Sequence, residues 1–349
     1  FINLPNNIYS FFPLQMEMLF LFCLALKGEI LAQLAGLGLL VLLLLAMALY
    51  YRRNISMKFT ALVPVLFFST PTFFEGSITA YVDVAVAGFM FFAYYSWDRM
   101  RADKAWVFPL AVFAGAAAGT KLTAGIVLPI AIIGILLQKQ NFRESLKPAL
   151  IVIASVLLFL LPWWTKNYNY SGNPFVPLLM QIFGGEDRIN WDSDRFLLFD
   201  QFVKSIGMGR GIKEFLLLPI HLAFFSETNG PRFDGQIGIQ HLLLLPGILF
   251  LRRGNAKAWK HTLALATVFS ILLIFWFFYF QYIRFLASPF IFLSLILAHG
   301  FGQMTATGAL IKRLALILAA MVIAYNTSLI LADWKNAEPL PYLLGRQTR

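Results

Sequence analysis

A long apolar stretch at residues 107–137, interrupted by a single lysine, constrains the fold of this chain most strongly. Its centre reads AGAAAGTKLTAG over residues 114–125, and Lys121 has no carboxylate close to it in sequence. Runs of small residues let helix backbones approach closely within a membrane. A charge at membrane depth costs roughly 2.5–3.5 kcal/mol on insertion scales, so it persists there when it is paired, reaches an interface or has a function. The stretch therefore predicts a tight helical hairpin whose tip holds Lys121 near one membrane face, where we expect it to meet an anion.

The composition is that of a polytopic membrane protein. Hydrophobic residues make up 59% of the 349 residues and charged residues only 13%, whereas a soluble domain carries about 25% charged residues. The formal net charge is +11, which in a soluble protein would suggest a nucleic-acid partner. In a membrane protein, basic residues collect in cytoplasmic loops instead. We therefore expect no nucleic-acid partner.

Thiol and zinc chemistry receive little support from the sequence. The chain has a single cysteine, Cys23, so an internal disulfide framework is excluded. Its four histidines include no pair at the helical spacing of four residues, and no zinc site is expected; they are His221, His241, His261 and His299. We expect His221 and His241 to be hydrogen-bonded residues near the membrane interface.

The apolar segments predict an all-α transmembrane bundle of about nine or ten membrane helices. Residues 14–26 are too short to span, since about 20 residues are needed, and predict an interfacial helix. Residues 212–225 predict an interfacial or re-entrant helix, and Pro71 with a Glu75-Gly76 turn breaks one pair of spans. The expected membrane segments are 31–51, 59–70, 78–97, the hairpin at 107–137, 149–164, 240–251, 263–280, 285–297 and 314–331.

Charge predicts the orientation of these helices. Five basic clusters, at residues 52–58, 99–104, 139–147, 252–260 and 312–313, hold fifteen Lys and Arg residues. An even number of spans separates each cluster from the next, so all five can face the cytoplasm. The Lys121 tip, the Glu75 turn and the 281–284 connection then face outside.

We expect one membrane domain over residues 1–349. A long external loop is predicted because residues 165–236 hold eight acidic against seven basic residues. The parts are 1–28, the end of an external loop with an interfacial helix; 29–164, membrane helices including the Lys121 hairpin; 165–236, the long extracytoplasmic loop with an interfacial helix; 237–331, further membrane helices; and 332–349, an extracytoplasmic tail.

Several short motifs, taken in order, resemble the GT-C superfamily of integral-membrane glycosyltransferases. The resemblance is to bacterial relatives of the protein O-mannosyltransferases and aminoarabinose transferases, which are similar to glycosyltransferase family 39. The motifs are PNNIYSFFP at 5–13 followed by MEML at 16–19, AYVD at 80–83, GAAAGTK at 115–121, PWW at 162–164 with Asn167 and GNPFVP at 172–177, and RFL at 284–286 with Pro289.

This resemblance implies an enzyme that uses a lipid-phosphate-linked sugar. The family places its catalytic acidic residue in the first external loop, after the first span, and neither is found among the matched motifs. We therefore expect the catalytic base upstream of Phe1, in a chain truncated at its N-terminus, and assign it to no residue here.

Two basic residues are the candidates for binding the donor phosphate. Lys121 would stabilise the negative charge that grows on the leaving group, and the alternative is a lysine that snorkels or forms a salt bridge at a helix end. Arg284 could bind phosphate with two hydrogen bonds, whereas an arginine at a membrane edge commonly contacts lipid headgroups.

Three acidic residues are candidates for an acceptor or metal site. Asp83 and Glu75 would face the same side as Lys121, and the alternatives are a carboxylate favoured by a helix N-terminus or a partner for Lys121. The alternative role for Glu17 is that of an acidic residue that caps a helix or lies at the membrane interface. A divalent cation is the only cofactor considered, because some relatives use one, and no metal ligand is assigned.

The sequence thus favours a glycosyltransferase of the bacterial inner membrane, multi-pass and with its polar site outside. Its partners would be a polyprenyl-phosphate sugar, membrane lipids and an acceptor glycan, lipid or protein. One alternative is a non-catalytic GT-C-like scaffold with protein partners in a larger membrane complex. A second is a lipid-linked-sugar flippase or transporter, for which inverted repeats would be expected and none is apparent.

Overall fold

A computed structural model of the chain describes residue 4 and residues 7–138 and 142–336, with side chains up to residue 332. Predictions for residues 5–6, for Lys139 and for the tail beyond Asn336 fall outside these ranges. Within them, every regular element is a helix. The helices are α1 (Gln15–Lys27), α2 (Glu29–Asn54), α3 (Leu62–Phe68), α4 (Pro71–Ile78), α5 (Val82–Arg99), α6 (Val107–Thr120), α7 (Val127–Gln138), α8 (Phe142–Ser171), α9 (Met180–Phe183), α10 (Glu186–Ile189), α11 (Ser193–Ser205), α12 (Ile212–Phe224), α13 (Gln240–Leu244), α14 (Ala256–Tyr279), α15 (Ala287–Met304) and α16 (Ala309–Asn336).

Helix length and hydropathy support a multi-pass membrane protein. In the described part of the chain, five helical segments are long and apolar enough to cross a membrane, namely α2, α8, α14, α16 and the Ile283–Met304 segment that contains α15. A bent pair, α4 with α5, counts as a sixth if it is one broken span, and three apolar helical segments are shorter. The predicted all-α membrane bundle is confirmed, although several of its expected spans are broken or short.

The predicted spans at 59–70 and 78–97 differ most from the structure. The first is not a span, because α3 covers only Leu62–Phe68 and a new helix starts at Pro71. Proline is tolerated at the first helical position, where its missing N–H would have no partner anyway. Glu75 and Gly76 therefore lie inside α4 instead of forming a turn. The chain bends by 103° between α4 and α5, where Ala80 adopts a positive φ of 56°.

Where the sequence suggested one membrane domain, contacts within the chain group it into two compact units. The first unit comprises Phe1–Leu43 and Ile78–Ser205. The second comprises Leu44–Ser77 and Ile206–Arg349. Each unit therefore combines segments that are distant in sequence, and each has its own packed interior.

The first unit is organised around α6, which packs against α5 and α8. The run of small residues from Ala114 to Thr120 is buried throughout. A side chain at Gly115 would have no room, because an added Cβ would lie 2.5 Å and 2.9 Å from ring atoms of Phe159 on α8. The helix ends at Thr120, Lys121 is extended (φ −150°, ψ 132°), and a 3-10 turn at Leu122–Ile126 leads into α7. The predicted break at Lys121 is therefore present.

The segment predicted as a long loop contains several helices. α8 continues to Ser171, beyond the aromatic pair Trp163 and Trp164, with Pro148 and Pro162 inside it. Further along, α12 has 13 residues, fewer than the roughly 20 that a span needs. It buries Leu218 while Ile212 remains 83% exposed.

The second unit is centred on α15, most of which is buried. Its Gly300 lies against Gly247 so closely that an added Cβ would be 2.7 Å from the Gly247 carbonyl carbon. Polar side chains bridge its helices: Gln240 Nε2 donates to Thr70 Oγ1 at 2.9 Å, and the Thr262 hydroxyl bonds His299 Nδ1 at 2.8 Å. Hydrogen bonds of this kind link helices where hydrocarbon offers no hydrophobic driving force between them.

The contact between α6 and α8 leads to a prediction about two helical glycines. We expect Gly115→Ala to destabilise the protein by about 1–3 kcal/mol, the usual effect of overpacking, because its methyl group would meet the Phe159 ring. Gly88→Ala in α5 is the matched control, since its Cβ would make only an ordinary 3.7 Å contact with Phe92. Unfolding by SDS titration in mixed micelles measures both changes. Equal stability of the two variants would contradict the close packing.

Candidate functional site

Lys121 and Asp83 lie at the ends of two helices of the first unit. Asp83 is in the first turn of α5, where the helix dipole favours a negative charge. Lys121 directly follows α6, and its backbone N–H still donates to Ala117 O at 3.2 Å. A positive charge is favoured at this end of a helix. The helix ends thus favour opposite charges at the two positions.

The two side chains form an ion pair in which Lys121 Nζ donates to Asp83 Oδ1. The side chain of Asp83 is 9% exposed and that of Lys121 is 20% exposed. Removing one partner of a buried pair costs far more than the net contribution of the pair, since a charge is left uncompensated. The alternative in which Asp83 is a partner for Lys121 is therefore realised, and the pair is a charged centre that keeps partial access to its surroundings.

Glu17 is the second acidic group of this cluster, beside Asp83 and Lys121. Its helix α1 packs against α5 and α6, and the Gln15 side chain, two residues earlier, lies against Gly119. Its Oε2 atom is buried without a hydrogen-bond partner among the described residues. Burial raises the pKa of Glu17 to about 7, against opposing effects of a backbone hydrogen bond and of Lys121, while Asp83 raises it further. Glu17 is thus a carboxyl group that changes charge near neutral pH.

The C-terminal end of α8 holds the segment that leads into α1. The sequence did not predict this role for the residues at the end of α8. Asn167 Nδ2 donates to Phe11 O at 2.9 Å, and Lys166 Nζ donates to Ser10 O at 2.5 Å. Asn167 is 2% exposed. The sequence signals were the position of Lys166 and Asn167 after the apolar run and the inclusion of Asn167 in a matched motif. These residues position α1, and through it Glu17.

Two predicted site residues belong to the second unit. Arg284 is in the 3-10 turn Ile283–Leu286 that precedes α15, with its guanidinium 5.2 Å from the Tyr282 ring centre and 5.3 Å from that of Phe285. Cation–π contacts of this kind fix the direction of a guanidinium. Glu75 is exposed on α4. The structure therefore groups Lys121, Asp83 and Glu17, whereas Arg284 and Glu75 are described only within their own unit.

A metal centre receives no geometric support in the described part of the chain. Across those residues, no group of three or more His, Cys, Asp or Glu side chains converges so as to hold a metal ion. The divalent cation considered from the sequence stays a prediction.

Comparison with known proteins places the sequence in a family. Residues 15–292 match the family described as "Domain of unknown function (DUF8201)". The chain belongs to this family. A search of curated proteins finds no significant match.

A solved structure supplies the fold relationship. The crystal structure of ArnT from Cupriavidus metallidurans bound to undecaprenyl phosphate is similar with a TM-score of 0.58 at 16% sequence identity. The match covers 88% of this chain and 52% of that chain, so the chain spans about half the length of ArnT. The GT-C-like helical membrane fold that the sequence motifs predicted is confirmed.

The ion pair leads to a prediction about coupled substitutions. Asp83→Asn or Lys121→Met alone should destabilise the first unit by about 3 kcal/mol, because each leaves a buried charge without its partner. The double variant should lose much less than the sum of the two. The exposed pair Asp200 and Lys204, at 2.6 Å, is the control, and its equivalent variants should change stability little. Additive effects at Asp83 and Lys121 would contradict a coupled pair.

The pKa of Glu17 predicts a pH dependence of stability. Its value rises from 4.5 to about 7 on folding, so folding favours the protonated carboxyl. This contribution is fully present below pH 4.5 and is lost as the pH rises through 7. Glu17→Gln, which mimics the protonated form, should therefore exceed the parent in stability by up to about 3 kcal/mol at pH 8 and match it near pH 4.5. SDS titrations at both pH values measure the difference. A difference that does not vary with pH would contradict the shift.

Proposed function

We propose that this chain is a membrane glycosyltransferase that transfers a sugar from a polyprenyl-phosphate-linked donor to an acceptor outside a bacterial inner membrane. The observation that carries the proposal is the Lys121–Asp83 pair at the end of a buried run of small residues. An isolated lysine in such a position is expensive, and the same site provides a carboxylate that holds it in place. An ammonium group in this setting suits a lipid phosphate that leaves the sugar during transfer.

In this mechanism, Lys121 stabilises the negative charge that develops on the donor phosphate as the bond to the sugar breaks. A preorganised charge in a site of low dielectric is worth more than the same charge in water, because it needs no reorganisation during the reaction. Asp83 orients the ammonium, and the partial exposure of the Lys121 side chain leaves room for an approaching phosphate oxygen.

Glu17 is proposed to face the acceptor. Its buried Oε2 has no hydrogen-bond partner among the described residues, so it suits an incoming hydroxyl group. Glu75 remains a candidate for the acceptor side, and Arg284 a candidate for the donor phosphate, on the sequence prediction alone. The catalytic base is likewise expected outside these residues, as the family resemblance implies.

The lipid class of the donor is supported by the fold relationship. ArnT, which has a similar fold, was crystallised bound to undecaprenyl phosphate. Its identity to this chain is low, so the similarity alone carries the fold and not the ligand. The lysine–aspartate pair of this chain adds a chemical reason to expect a phosphate, and the two arguments together favour a polyprenyl phosphate over a neutral lipid.

The test compares two lipids that differ only in their head group. The purified chain in nanodiscs is titrated with undecaprenyl phosphate and with undecaprenol, and binding is followed by native mass spectrometry. We expect the phosphate to bind at least tenfold more tightly, which corresponds to about 1.4 kcal/mol. Lys121→Met should remove this preference, and Lys121→Arg should keep part of it. Lys204→Met, an exposed lysine of the same unit, is the control.

The outcomes separate the candidate functions. Loss of the phosphate preference in Lys121→Met, together with sugar transfer by the native polypeptide, supports the glycosyltransferase. Phosphate binding without any transfer by the native polypeptide would favour a non-catalytic scaffold. An unchanged preference in Lys121→Met would overturn the proposed role of this residue.

A further inference from the structure

The second unit contains a cavity of about 80 Å³ with an almost entirely apolar wall. Residues from α12, α14 and α15 line it, together with the start of α13. Its apolar lining includes Leu218, Leu222, Phe269, Leu273 and Phe290. None of the Lys121, Asp83 and Glu17 cluster takes part, so this is a separate site within the other unit.

One polar side chain, His241, lies in this wall. It is only 5% exposed, and neither of its ring nitrogens has a hydrogen-bond partner among the described residues. Its ring packs on Phe290 with the ring centres 4.5 Å apart. The sequence-based expectation of a hydrogen-bonded His241 is therefore wrong for the protein alone, because the elements that surround the ring contribute apolar side chains.

Two other histidines of the same unit behave differently. His261 Nδ1 is hydrogen-bonded to the Tyr50 hydroxyl at 3.0 Å, and His299 Nδ1 is hydrogen-bonded to Thr262. Buried polar groups are nearly always satisfied, and each exception calls for an explanation such as an absent water or ligand. Among these three histidines, only His241 has ring nitrogens without a hydrogen-bond partner, and its ring lies beside a cavity.

Water alone is a poor match for this cavity. A buried water needs two to four polar partners, and the other wall side chains are apolar. Apolar cavities stay dry and take apolar molecules instead. The wall therefore suits a ligand that is mostly apolar and carries one hydrogen-bonding group.

We propose that this cavity binds the hydroxyl-bearing end of an uncharged lipid, such as an isoprenoid or fatty alcohol, with the hydroxyl hydrogen-bonded to His241. A hydroxyl both donates and accepts, so it suits a neutral imidazole in either tautomer. The wall contains no lysine, arginine or acidic residue, which disfavours a charged head group. The volume fits the end of a chain, and the rest of the lipid extends from it.

The test uses nuclear magnetic resonance of the ring nitrogens, because the chain has only four histidines. The full chain, labelled with 15N-histidine in nanodiscs, is titrated with farnesol and, separately, with the saturated hydrocarbon 2,6,10-trimethyldodecane. We expect farnesol to shift the His241 ring signals with saturation, while the hydrocarbon leaves them unchanged. The signals of His261 and His299 should stay in place, since both rings already have partners.

Variants on a single helix supply the matched control. Leu273→Phe fills the cavity from α14, whereas Leu263→Phe makes the same change at a position on that helix that is 57% exposed. We expect Leu273→Phe to weaken farnesol binding at least fivefold and Leu263→Phe to leave it unchanged. His241→Phe keeps an aromatic ring but removes both hydrogen-bonding nitrogens, and it should weaken binding about fivefold, the ratio that corresponds to a neutral hydrogen bond of about 1 kcal/mol.

Three results would overturn the proposal. One is a His241 signal that farnesol does not move, and another is an equal shift with the hydrocarbon, which would mean an apolar cavity without hydroxyl recognition. The third is binding that His241→Phe leaves intact. Because none of these measurements depends on sugar transfer, failure here is distinct from failure of the proposed glycosyltransferase function.

Discussion

Burial of one lysine governs the arrangement of the first unit. Lys121 sits at the end of α6, where the surrounding helices leave its side chain only 20% exposed, and a charge in such a place needs a partner. Asp83 provides it from the first turn of a different helix. For the two to meet, α5 must begin and α6 must end at matching depths. The run of small residues in α6 also lets α8 approach within contact of Gly115.

The same physical demand, that buried polar groups find partners, explains the second unit. Gln240 of α13 meets Thr70, which lies between α3 and α4, and Thr262 of α14 meets His299 of α15. Among His241, His261 and His299, His241 is the exception, and its ring stands beside the apolar cavity. A buried ring without a partner at a cavity wall points to something that the protein binds.

The two proposed sites differ in chemistry as a consequence. The cluster of Glu17, Asp83 and Lys121 holds fixed charges and one carboxyl whose pKa lies near neutrality, which suits a charged lipid head group and proton exchange. The His241 cavity offers neutral hydrogen bonding inside an apolar wall, which suits an uncharged lipid. One unit therefore offers a charged site and the other an uncharged, mostly apolar site.

Much of the fold could be predicted from the sequence. The long apolar segments that became α2, α8, α14, α16 and the Ile283–Met304 segment were predictable from their length and hydropathy, and the break at Lys121 followed from a charge within an apolar run. The bend between α4 and α5 was misplaced, because Pro71 can start a helix as readily as end one. Likewise, the spans predicted at 59–70 and 240–251 are short or irregular helices.

The candidate site, like the fold, could be predicted from the sequence only in part. The sequence by itself determined that Lys121 needed an anionic partner, since the energetic cost of its burial is a local property of the chain. Only the tertiary structure decided that the partner is Asp83, that Glu17 joins them, and that Asn167 and Lys166 hold the segment leading to α1. Those contacts join residues up to 156 positions apart. No local pattern specifies such pairings, because they depend on which helices pack against each other.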